Sequence, residues 1–350
     1  MRSAAPTPAI GTALLFALAL TLFSSGCSTS AKDSVVHAKP APPPIEFLGA
    51  WGAKGVGPGM LSDPRAIAAD AFGEVYIVDA GSPSHFIQKF TRDGHPLFSF
   101  QPLAPIHNPC ASAIDLGGAI YSLECGPGAL YIFKPEGDLL RAIRGGLGAP
   151  ARPSSVTIGN DGRIYIAESH SKRVLRYTSH GSFIGAWGAK VPTPAVQKTS
   201  QKGAHQPAHQ VVQQPAVQTT GFHADQIASS LDGTLFVCDS DRGWVARISA
   251  AGIVEKEWTV PSSIAGQSGA VGRCYLAVTK TSVIVLNGPS FAYVLHIFSY
   301  DGQEKLTKPL QDLDPSLVNV TSAGIAAMQD GEIFILDSAV PRVLHFRLNM

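Results

Sequence analysis

Six times along the chain a turn is followed by a run of alternating β-branched and aromatic residues that closes on an acid or an amide. The runs are GEVYIVD to Asp79, GAIYSLE to Glu124, GRIYIAE to Glu168, GTLFVCD to Asp239, SVIVLN to Asn287 and GEIFILD to Asp337. Their spacing is about 45 residues, a period that belongs to propellers and solenoids. Such a repeat constrains the fold strongly, because each unit has to bury its apolar faces against copies of itself. Within a unit four strand-like runs follow one another. Between Ser155 and Gly188 they read SVTIG, RIYIAE, RVLRYT and FIGAWG, with turns at Asp161-Gly162 and His180-Gly181. Alternation with Gly-centred turns predicts an antiparallel meander. Six such units predict an all-β chain, a six-bladed β-propeller of four-stranded blades packed face to face around a central axis.

The octapeptide FIGAWGAK, from Phe183 to Lys190, supplies the fourth strand of the third unit, and a near copy, FLGAWGAK, stands alone from Phe47 to Lys54. The sixth unit has no fourth run, since the sequence stops just after RVLHFR. The segment from Phe47 to Gly52 is therefore expected to pair with the third strand of the last unit, close the ring and remove an exposed edge. One interval between units is much longer than the others. Its residues 191–220 are rich in Gln, Pro and Ala, hold too little apolar surface to order themselves, and read as a disordered insertion.

Before the repeats, Arg2 precedes an apolar run from Ala9 to Phe23, then Ser24, Ser25, Gly26 and Cys27. Residues 1–26 have the order of parts of a secretion signal, and the run is short for a transmembrane helix. The Phe-Ser-Ser-Gly-Cys junction resembles the lipobox of bacterial lipoproteins, with Ser24 where that family usually has Leu. The resemblance implies that Cys27 is acylated, that residues 27–44 form a Pro-rich tether, and, with Ser28 after the Cys, that the anchor sits in the outer membrane of the cell envelope. Residues 45–350 are left for the propeller. The net charge of +1 offers no long-range attraction to nucleic acid, and no basic, aromatic-rich face is visible.

The order of Gly turn, hydrophobic strand ending in an acid, short loop, Arg-Val or Arg-Ile strand and second Gly turn resembles the NHL repeat family. The matching stretches are YIVDAGSPSHFIQKFTRDG, YIAESHSKRVLRYTSHG, FVCDSDRGWVARISAAG and FILDSAVPRVLHF. In the fifth unit Thr281-Ser282 replaces the usual Asp-Gly turn, so that blade is expected to be the irregular one. The resemblance implies a ligand face where first strands start and second strands end. Counting back from the Gly turns puts Arg65, Cys110, Ser154, Asp225, Cys274 and Ala323 at its mouth, with Arg65, Ser154 and Asp225 as candidate ligand contacts. For Arg65 and Asp225 the reading to set against ligand contact is an inter-blade ion pair or a solvated rim, since most charged residues are only solvated. The strand-end acids read as caps on their own loops, because the same chemistry recurs in every unit, whereas a metal ring would need different residues at different places.

Some NHL-like propellers are amidating lyases that hold zinc through His residues at the channel mouth. The mouth positions here contain no His. His107, His170 and His223 lie near that face without matching spacing, and His205 and His209 are separated by Pro207, so no metal and no other cofactor is expected. No catalytic constellation emerges. For an exported chain, disulfides are expected among Cys110, Cys125, Cys238 and Cys274, with Cys110–Cys125 and Cys238–Cys274 the favoured pairs of three possible pairings. The expected function is a lipid-anchored scaffold rather than an enzyme: a monomeric propeller that binds an envelope protein, peptide or glycan. The alternative is a metal-dependent lyase or hydrolase working at the same mouth.

Overall fold

Each repeat folds into one four-stranded antiparallel sheet, and six sheets form the ring. The computed structural model describes residues 42–84, 86–103, 106–126, 128–144, 152–170, 173–188, 224–261 and 273–350. The signal segment, Cys27, the tether to residue 41 and the 191–220 insertion lie outside the described residues. Blade one runs Pro64–Ala69, Glu74–Asp79, Ile87–Thr91 and Pro96–Phe100 from the axis outward, and blade three runs Pro153–Ile158, Ile164–Glu168, Arg173–Tyr177 and Phe183–Gly188. Blades two, four and five begin at Pro109, Gln226 and Arg273 and repeat the order. The helices among the described residues are two single 3-10 turns, Leu310–Asp312 and Pro315–Leu317.

The second strand of a blade is apolar on both faces because both are covered. Val75, Tyr76, Ile77 and Val78 are all buried, whereas the outer strand Pro96–Phe100 is exposed or half-buried throughout. Apolar clusters fill the junctions between blades. Ile67, Val75, Ile77 and Phe90 of blade one, for example, pack on Phe334, Leu336 and Val343 of blade six. Each fully buried side chain of this kind contributes about 1.5–3 kcal/mol.

Ring closure follows the sequence expectation. Ile45–Trp51 pairs antiparallel with Arg342–Leu348, from Ile45 opposite Leu348 to Trp51 opposite Val343. Beyond the strand the Asn349 amide N–H donates to Pro44 O at 2.9 Å, and its side chain donates to Pro43 O at 2.9 Å. A polar clamp holds the adjoining seam. Arg92 of blade one lies 3.0 Å from Asp330 and 3.3 Å from Glu332 of blade six, while Arg347 and His345 reach Glu332 at 3.1 and 2.8 Å. Burial pushes Glu332 up, but the hydrogen bonds from Arg347 and His345 and the nearby positive charges outweigh it and hold the carboxyl below its ordinary value.

The duplicated phrase has a structural meaning. In both copies the Phe packs on an aromatic of strand three, Phe47 on Phe346 at 5.1 Å and Phe183 on Tyr177 at 5.4 Å. The next residue, Leu48 or Ile184, is skipped by the ladder, and a Gly then faces a large side chain, His345 or Arg176. Both copies end on a Trp whose ring lies against the Gly turn of the next blade. A Cβ on Gly94 would come within 2.4 Å of Trp51, and one on Gly252 within 2.3 Å of Trp187. Phe100, Ile143 and Trp258 meet Gly137, Gly181 and Gly302 in the same manner.

Blade five corrects an expectation. It is a regular four-stranded sheet, Arg273–Val278, Val283–Gly288, Val294–Phe298 and Glu304–Pro309, and its first two strands pair without a register break. The missing Asp-Gly is replaced by a tighter turn in which Thr279 N–H bonds Ser282 O at 2.9 Å. The Thr279 hydroxyl accepts the Ser282 N–H at 3.1 Å, the part an Asp plays elsewhere.

Candidate ligand-binding site at the channel mouth

The inner strands of four blades begin with a bulge. Arg65, Cys110, Ser154 and Ala323 are each skipped between two paired residues. A bulge frees one residue from the ladder and re-aims its side chain. All four line a central cavity of about 950 Å³, as do Asp225 and Cys274, so the structure brings the six counted positions together around one space. About half of the inner-strand lining is Ala, Ser, Thr or Gly.

The three candidate contacts are each engaged locally. Arg65 pairs with Asp63 of its own blade at 2.6 Å, both side chains half exposed on the solvated rim, so it is not an inter-blade pair. The Ser154 hydroxyl lies 3.3 Å from Ala167 O and 3.4 Å from Ala224 O, which ties blade three to blade four. Asp225 accepts the Ser240 N–H at 2.7 Å and is also bonded by the Ser240 hydroxyl.

Residue counting missed Arg273. Blade five lacks the bulge, so Cys274 pairs with Asn287 and turns into the junction with blade four, while Arg273 stands exposed at the mouth. Its Nη1 is 3.5 Å from the Tyr275 phenol, which donates to Ser322 O of blade six at 2.6 Å. The Tyr293 ring lies 6.2 Å from that of Tyr275, and burial, followed by Tyr275, pushes its phenol up to about 12. Arg273 has no carboxylate partner among the described residues. The sequence signal was the Arg standing before Cys274 where three of the four bulged strands have a Pro, at Pro64, Pro109 and Pro153.

The strand-end acids turn away from the cavity chemistry. Asp79 is fully buried and accepts Ser62 N–H at 2.8 Å, Asp63 N–H at 2.7 Å and Gly81 N–H at 3.2 Å. It therefore caps its own loop and also fixes the approach to its inner strand. Glu168 does the same with Arg152 and His170, and Asp337 with Thr321 and Ala339. Glu124 accepts the backbone N–H of His107. Among the described residues no three His, Cys, Asp or Glu side chains converge as metal ligands. His205, His209 and His223 lie outside the described residues.

Cys110 is joined to Cys125 within blade two, Cα atoms 5.7 Å apart, and Cys238 to Cys274 between blades four and five at 6.5 Å. Cys110 and Cys125 face the cavity.

No protein-family model matches the chain. Over 146 residues it is 26% identical to the Protein brain tumor of Drosophila melanogaster, which covers 39% of this chain and 14% of that protein. Among solved structures it is similar to the virginiamycin B lyase of Staphylococcus aureus at 14% identity, covering 87% of this chain and 99% of that one, with a TM-score of 0.51. Kuenenia stuttgartiensis hydrazine synthase is similar at 15% identity over 82% of this chain and 77% of that one, TM-score 0.54. The WD40 propeller domain of Doa1 is similar at 13% over 87% and 97%, TM-score 0.51. What these likenesses show is the fold, a β-propeller, and the six blades are those of this chain's own sheets.

Proposed function

We propose that this chain is an exported, lipid-anchored β-propeller of the cell envelope, NHL-like in its repeats, that binds an envelope protein, peptide or glycan at the channel mouth. The observation that carries the reading is the cavity of about 950 Å³ with many small side chains in its wall, a size suited to a ligand or an inserted loop. Anchoring rests on the leader and Cys27, which motivate an outer-membrane location. The reading needs no cofactor and no nucleic acid, and treats the propeller as a monomer.

Filling the mouth tests it. Cross-linked pull-down from intact cells is expected to recover a partner with the wild type and to lose it with Ala323→Trp at unchanged melting temperature. An identical partner set for both proteins would place binding elsewhere. Cys27→Ser is expected to abolish labelling by palmitate and release the protein from the membrane fraction. The competing reading, a metal-dependent lyase or hydrolase, would be favoured by stoichiometric zinc or calcium in the purified protein.

A further inference from the structure

We infer that Arg273 anchors a carboxylate group of the ligand at the edge of blades five and six, an inference that rests on the channel-binding reading above. The side chain is a cation at the rim of the cavity without a counter-charge among the described residues. Among the described residues its polar neighbour is the Tyr275 phenol at 3.5 Å, and that phenol already donates to Ser322 O. The remaining stretches of the propeller, residues 85, 104–105, 127, 145–151, 171–172, 189–223 and 262–272, contain no Asp or Glu, so none can supply the missing carboxylate. The other charges of the mouth are satisfied. Arg65 is neutralised by Asp63, and Asp225 is bonded by Ser240.

The surroundings leave room for a guest. Beside Arg273, blade six presents Ser322, Ala323 and Gly324 to the cavity, all small, and Ser290 and Tyr293 line the same space. A guanidinium stays charged at any ordinary pH, and its planar fork matches a carboxylate with two parallel hydrogen bonds. One unpaired cation balances one negative charge. A phosphate dianion at the same place would be left half compensated, which favours a carboxylate.

The carboxylate can belong to a peptide C-terminus or to a uronic acid, and the test separates them. Purified protein is offered a pool of N-acetylated tetrapeptides with free C-termini, the same pool amidated, and a pool of uronic-acid oligosaccharides with their amide derivatives. Retained species are counted by mass spectrometry. Wild type is expected to retain one acid pool about tenfold better than its amide, the scale of one charge-assisted hydrogen bond. Arg273→Gln is expected to lose that preference, and Arg273→Lys to keep part of it. Lys134→Gln, a change to a cation that does not line the cavity, should retain it, with melting temperatures confirming that all variants are folded. Equal retention of acid and amide by wild type, or an undiminished preference in Arg273→Gln, overturns the inference and leaves channel binding standing. Retention of none of the pools overturns it too. In that case capture of a partner by wild type but not by Ala323→Trp decides whether the wider reading survives.

Discussion

Asp79 carries three backbone N–H groups in a site closed to water, so its removal leaves donors that nothing else can satisfy. Asp79→Ala is expected to cost about 2–4 kcal/mol in urea unfolding. Asp79→Asn should also destabilise, because the amide presents a donor where the carboxylate accepted. That an acid recurs at strand ends and caps a loop was legible from spacing. Its second duty, holding a segment 16 or 17 residues earlier, was not, because only the folded hairpin brings the two together. At the same place in blade five stands Asn287, which bonds His296 Nε2 at 2.9 Å, while His296 Nδ1 meets Thr307 at 2.9 Å. Burial pushes His296 from 6.5 down to about 4, although Glu304 pulls the other way. The unfolded chain takes up a proton as pH falls through 6.5, and the folded one resists until about 4. Stability from this residue is thus full above the upper value and is lost on the way to the lower, by at most about 3 kcal/mol. His296→Gln is expected to flatten the acid-side fall of the urea midpoint; an unchanged pH profile would contradict the assignment.

The outer strands act as locks between blades. Trp187 is nearly buried against the turn of blade four, with Arg176 stacked 4.4 Å above its ring. Trp187→Ala is expected to lose about 3 kcal/mol, and Trp51→Ala, in the same place at the seam but more exposed, somewhat less. Gly252→Ala should destabilise strongly as well, since φ is +83° and the new methyl would fall 2.3 Å from the indole. Thermal melts of the three variants check these expectations. Element by element, the chain shows its strands and even its seam openly, because the phrase that builds one lock is written again for another. Bulges are different. They arise from how two strands fit, so the same count that placed Arg65 and Ser154 at the mouth put Cys274 there and passed over Arg273.

At the scale of the molecule, the two disulfides join different things. Cys110–Cys125 closes a separation of 15 residues inside one blade, and Cys238–Cys274 spans 36 residues and two blades. Restricting the unfolded chain by these loops is worth about 3 and about 4 kcal/mol. The Cys238→Ser/Cys274→Ser variant is therefore expected to lose more stability in denaturant than Cys110→Ser/Cys125→Ser. The reverse order would mean that folded-state contacts, rather than loop length, dominate. The ring itself was foreseeable from the repeat count, whereas the ligand was not, because a propeller lends its mouth to many chemistries. One consequence follows from the latch formed by Asn349 and Pro43, which are 306 residues apart. The earliest-made strand must wait for the latest-made one. A growing copy stays unlatched until Arg342–Asn349 has been made, with two sticky edges on offer to strangers, so any escort that guards it has to stay at least that long.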